Sequence, residues 1–153
     1  MTCRFKSRQE GVRYVRPLYL YHGGLKMTGR EFEQYMCKLF DQNGFWALNI
    51  PRSESGAQPF DIVAIRKDEV YAVDCKVCSG AARFPLRRVE DNQLLAFGKA
   101  YWRTNAKIGL MVYWSGCIYF LRREDIVKAI EEEQPSIKLT KKDLFCTIGN
   151  EVF

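Results

Sequence analysis

Asp61 and the triplet Asp74-Cys75-Lys76 sit on two neighbouring short apolar runs, Phe60 to Ile65 and Val70 to Val77. With a loop of about four residues between them, the runs read as a hairpin. Side chains alternate faces along a strand, so Ala72, Asp74 and Lys76 share one face and Tyr71, Val73, Cys75 and Val77 the other. The charged pair then stands together above an otherwise apolar sheet. A carboxylate beside an ammonium, with a second carboxylate on the adjacent strand, can hold a hard divalent cation and orient a water. Such an arrangement is expected of a metal-dependent nuclease centre. In the plain alternative, both carboxylates are strand-end charges and Lys76 makes a surface ion pair worth at most about 1 kcal/mol.

Several elements must position these groups. Thr28 is a predicted N-cap, with Glu31 at capping-box spacing, and Phe32, Tyr35, Met36, Leu39 and Phe40 recur at helical spacing until Asn43-Gly44. Glu33 lies beside that apolar stripe, at the boundary of helix and sheet. Phe45 to Ile50 reads as a strand, and the polar stretch from Pro51 to Pro59 as a loop emptying beside Asp61. A helix is predicted from Arg88 to Trp102, then a hairpin of Ile108–Trp114 and Cys117–Leu121 about Ser115-Gly116, a short helix near Glu124 to Glu133, and a last segment around Ile137 to Phe145. The order αβββαββα describes an α/β fold, a small mixed β-sheet flanked by helices. Trp46, Trp102 and Trp114 fall on apolar stripes and are expected in the core.

At 153 residues the chain is expected to be one domain with a real core, and 47% hydrophobic content excludes disorder. No apolar run approaches the roughly 18 residues that span a membrane. The net charge is +6. It concentrates early, where Arg4, Lys6, Arg8, Arg13, Arg16, Lys26 and Arg30 face only Glu10, so residues 1–27 read as a basic arm and 28–153 as the globular domain. A polyanionic partner is the natural inference, a solvated basic tail the bland one. Six dispersed cysteines and no signal peptide suggest free thiols in a reducing cytoplasm, bacterial, archaeal or phage-infected. Cys75 to Cys78 spells CxxC, but with no second such pair and one histidine in the chain a structural zinc site is disfavoured.

Taken together, Glu33, then Pro59-Phe60-Asp61, then Asp74-Cys75-Lys76 resemble the PD-(D/E)xK nuclease superfamily. More narrowly, the chain is similar to the Holliday junction resolvases of archaea and related proteins of bacteria and phages. The resemblance runs from about Met27 to Phe145. It is supported by Gly29-Arg30-Glu31-Phe32-Glu33, by Asn43-Gly44-Phe45, by the loop Arg52-Ser53-Glu54-Ser55-Gly56, and by Gln93 opening the helix after the motif. Two departures stand out: Asp74 replaces the more usual glutamate, and Phe60 separates Pro59 from Asp61.

The resemblance implies a restriction-endonuclease-like core. It further implies one or two Mg²⁺ or Mn²⁺ ions held by Asp61, Asp74 and the main-chain carbonyl of Cys75. Glu33 would complete the metal set, Lys76 would orient and help deprotonate the attacking water, and Gln93 would position a phosphate or water. Cleavage would leave 5′-phosphate and 3′-hydroxyl ends. Arg30, Arg52, Ser53, Ser55, Arg83, Arg87 and Arg88 are expected DNA contacts, the partner branched DNA, and the active form a homodimer, since two symmetric incisions need two sites. Two other readings share the residues: a phage or mobile-element nuclease acting on flaps, nicks or linear DNA, and a non-catalytic DNA-binding domain.

Overall fold

The computed structural model describes residues 2–5, 13–15, 26–52, 54 and 58–149, the side chains of 2–5, 13–15 and 147–149 excepted. In chain order its elements are β1 (Thr2–Phe5), β2 (Arg13–Val15), α1 (Gly29–Gln42), β3 (Trp46–Asn49), β4 (Ile62–Arg66), β5 (Glu69–Val77) and β6 (Arg83–Pro85). A short 3-10 helix (Leu86–Arg88) leads into α2 (Asp91–Arg103), β7 (Lys107–Trp114), β8 (Cys117–Arg122), α3 (Arg123–Glu131), β9 (Ser136–Lys138) and β10 (Leu144–Gly149). The expected order is found from α1 to α3, with β6 and the 3-10 helix added between β5 and α2. The final segment resolves into β9 and β10, and the backbones of β1 and β2 extend the sheet beyond β10.

Among the described residues one sheet runs β2-β1-β10-β8-β7-β5-β4-β3, with β6 and β9 as a separate pair. Only β5 and β7 pair in parallel within it; the other neighbours are antiparallel. Gly109 of β7 lies so close to β8 that a Cβ there would meet the Leu121 carbonyl oxygen, so this position tolerates no side chain.

Alternation along β5 sorts the core into two layers. Tyr71, Val73 and Cys75 pack with Phe32, Met36, Leu39 and Phe40 of α1. Ala72 packs on the other side with Phe97 of α2, Leu110, Leu121 and Ile126 of α3. α1 starts where the sequence predicts: the Glu31 N–H donates to Thr28 Oγ1 at 3.2 Å, and the Thr28 N–H donates back to Glu31 Oε2 at 2.7 Å. It ends at Gly44, whose φ of 80° suits a residue without a side chain.

Two expectations need correction, the length of the β4–β5 turn and the burial of Trp46 and Trp102. The β4–β5 connection is two residues long, because Lys67 takes a left-handed φ of 43° and Arg66 pairs with Glu69 both in register and as an ion pair. Cys75 and Cys78 fall in opposite core layers, so they cannot ligate one ion from a common side. Trp46 and Trp102 are 64% and 80% exposed; the buried arc of α2 centres on Gln93 and Phe97, which turns Trp102 outward. Trp114 is half-buried, its Nε1 donating to the Gly80 carbonyl at 3.0 Å.

Candidate active site

The site arises where β4 leaves β5. Their ladder runs from Arg66↔Glu69 to Ile62↔Val73, and the Asp61 N–H adds a last bond to the Val73 carbonyl at 3.0 Å. β5 then continues to Val77 against β7 alone. Its edge on the β4 side is open from there, and the Asp61 carboxylate occupies the gap: Oδ2 accepts the Cys75 N–H at 2.7 Å. A backbone donor that the sheet would have satisfied thus fixes a carboxylate instead.

Asp74 projects to the α2 side, and both aspartates are buried, at 8% exposure for Asp61 and 4% for Asp74. Gln93, in the first turn of α2, donates Nε2 to Asp74 Oδ1 at 3.0 Å while its Oε1 accepts the Glu90 N–H at 3.2 Å, which sets the amide's orientation. Lys76 Nζ stands 2.8 Å from Asp74 Oδ2. Oδ2 makes this ion pair and has no hydrogen-bond partner besides.

Burial and the charge of Asp74 push the Asp61 carboxyl up to about 7, with a smaller push from Glu33, while the Cys75 N–H pulls the other way. Two carboxylates at such range resist ionising together and gain from any cation between them. Burial, and then the charges of Asp61, Asp74 and Glu33, push the Cys75 thiol well up, so this cysteine offers the site its main chain and not a thiolate.

The surrounding cleft, about 670 Å³, is lined by Gly29, Glu33, Arg52, Gln58, Asp61, Asp74, Cys75, Lys76, Val77, Arg88, Glu90 and Gln93. It gathers Glu33, Asp61, Asp74, Cys75, Lys76 and Gln93 with two of the expected phosphate-binding arginines, Arg52 and Arg88. Arg88 is anchored through Nη1 to the Val77 carbonyl at 2.9 Å. Arg30 and Arg87 are exposed and do not line the cleft, and Arg83 is engaged with Ser136 at 2.8 Å. Ser53 and Ser55 lie outside the described residues. Among the described residues no three acidic, histidine or cysteine side chains are gathered as a ready-made metal cage; Glu33 shares the cleft and the field of the aspartates without closing such a group.

Sequence reasoning missed Gln58, which donates Nε2 to Asp61 Oδ1 at 3.0 Å, and Glu90 in the cleft wall. The available signal was position: Gln58 lies three residues before the first carboxylate, next to Pro59.

No curated protein matches the chain. Among solved structures it is similar to the Hjc of Archaeoglobus fulgidus, described as a Holliday junction resolvase from an archaeal hyperthermophile. The identity is 17%, the match covers 74% of this chain and 89% of that one, and the TM-score is 0.50, a likeness of fold. No helix among the described residues is long and apolar enough to cross a membrane. The family model described as archaeal Holliday junction resolvase (Hjc) matches residues 25–142, most of the chain, and the protein therefore belongs to that family of nucleases.

Proposed function

We propose that this chain is a divalent-metal-dependent endonuclease that resolves four-way DNA junctions as a homodimer. The observation that carries the reading is the pair of buried aspartates in one cleft, with an Asp74 oxygen short of a hydrogen-bond partner and an ammonium beside it. That oxygen, paired with the Lys76 ammonium alone, and a carboxyl pair held close against its own repulsion suit Mg²⁺ or Mn²⁺. Asp61, Asp74 and the Cys75 carbonyl would hold the ion; a strand residue turns its N–H and C=O the same way, so this carbonyl faces the edge that β4 has left. When bound, the cation supplies charge neutralisation at the scissile phosphate and a more acidic water.

The remaining work belongs to this chain's own groups. Lys76 is placed to orient the attacking water and to offset the charge that grows on the phosphate. Gln93 holds Asp74 at a fixed angle, and Glu33 adds negative field from the opposite helix. Arg52 and Arg88 grip phosphates at the cleft, with Arg30, Arg83, Arg87, Ser53 and Ser55 as further DNA contacts and the basic residues of 1–27 adding to the attraction for DNA.

The outer face of α2 supports the homodimer. Leu95 and Trp102 are exposed on its solvent side, and between them Gly98 has open space where a side chain would stand. Two such helices crossing antiparallel near Gly98 would cover the partner's Trp102 with Leu95 and bring the acidic start at Asp91 towards the partner's Arg103.

The test is cleavage of a four-way junction, a flap and a linear duplex by wild type and Asp74→Ala, with EDTA, Mg²⁺ or Mn²⁺. Paired, metal-dependent incisions of the junction by wild type alone, with binding retained by the variant, are expected. Cleavage by Asp74→Ala at the wild-type rate, or indifference between junction and duplex, sinks the reading.

A further inference from the structure

The Gln58 side-chain nitrogen lies within reach of three oxygens: the Ile50 carbonyl at 2.8 Å, the Phe60 carbonyl at 3.0 Å and Asp61 Oδ1 at 3.0 Å. An amide nitrogen carries two hydrogens, so three acceptors share two donors. Ile50 follows β3 and Phe60 precedes β4, so this one amide ties together the two ends of the loop from Pro51 to Pro59. The same amide also touches the carboxylate on which the site turns.

We propose that Gln58 is a positioning residue for Asp61, an inference that rests on the metal-dependent nuclease reading. Asp61 is clasped on both oxygens, Oδ2 by the Cys75 N–H and Oδ1 by Gln58, much as Asp74 is held on Oδ1 by Gln93. The Cys75 N–H alone leaves the carboxylate free to swing about that bond; the second donor removes the swing. Because two hydrogens serve three acceptors, Gln58 can ease its hold on Oδ1 when a cation draws that oxygen and still keep both carbonyls. The carboxylate is therefore set in direction without being locked away from a ligand.

Two variants test this: Gln58→Met, close in size with no donor, and Gln58→Asn, which keeps the amide but withdraws it by one methylene and serves should Gln58→Met unfold. The readouts are Mn²⁺ titration by calorimetry without DNA, and junction cleavage split into kcat and KM. Loss of an outer partner of a metal ligand weakens binding by about 10-fold or more. We expect that loss in Mn²⁺ affinity in both variants, with a similar fall in kcat and little change in KM, at near-wild-type far-ultraviolet circular dichroism. A folded variant with wild-type Mn²⁺ affinity and kcat overturns the role of Gln58 and leaves the nuclease reading standing. Wild type that takes up no Mn²⁺ overturns both.

Discussion

The Cys75 N–H donates to Asp61 Oδ2 at 2.7 Å, two residues beyond Val73, where the pairing of β5 with β4 ends. A main-chain group released by the end of one ladder therefore sets the first carboxylate, and the second follows one residue earlier on the same strand. The backbone of β5 sets where the two aspartates stand, and the Gln58 and Gln93 amides set how their carboxylates point.

Asp61→Ala and Asp61→Asn should separate scaffold from chemistry. Alanine strands the buried Cys75 N–H and should cost about 1–3 kcal/mol. Asparagine keeps an acceptor there and removes the charge facing Asp74. In EDTA at pH 8, Asp61→Asn should melt at or above wild type and Asp61→Ala below it, while neither cleaves junctions. Equal melting of the two variants in a thermal scan would deny the Cys75 bond its role.

The pH dependence of the metal-free protein has a definite sign. The Asp61 carboxyl rises from an ordinary 3.8 to about 7, so between these values the folded chain holds a proton that the unfolded chain gives up. The contribution of this group to stability is complete below about pH 4 and is lost as pH rises through about 7. Melting in EDTA should fall between pH 5 and 8, Asp61→Asn should flatten the fall, and Mn²⁺ should restore the wild type at pH 8 by binding the folded state. A melting curve in EDTA that is unchanged by Asp61→Asn at both pH values contradicts the shift.

Leu95→Glu and Trp102→Glu place a charge on the outer face of α2 without touching the cleft. Light scattering should show monomers, and junctions should be nicked once in place of paired incisions. Dimers of wild-type stability in both variants would move the interface elsewhere.

Arg52 lines the cleft and should contact one phosphate. Each neutralised phosphate contributes about 0.9 to the log-log slope of affinity against salt. Arg52→Ala should therefore lower that slope by about one in a fluorescence binding titration, while folding is unchanged. A slope equal to wild type would take Arg52 off the DNA.

What could be read in the sequence was what local rules govern. Thr28 and Glu31 cap a helix by a contact three residues apart, and the alternation along β5 puts Asp74 and Lys76 on one side whatever the rest of the chain does. Strand alternation and order pointed to Asp61, Asp74 and Lys76, the resemblance added Glu33 and Gln93, and the fold gathers all five in one cleft. Trp102 was not legible, because helical spacing does not say how wide the buried arc of α2 is. Gln58 escaped because its partners, Ile50 and Asp61, meet only once β3 and β4 are side by side. Arg83 carries the same charge as Arg88, and only the pairing of β6 with β9 turns it towards Ser136.

The parting of β4 from β5 leaves a stretch of β5 main chain without a strand partner on one side, the kind of template on which a stray strand from another molecule can add itself. Asp61 fills that place with a negative charge and its own hydrogen bond. The acid in the cleft thus also covers a strand edge, and an apolar replacement there should lower solubility, which sedimentation of Asp61→Leu against Asp61→Asn would check.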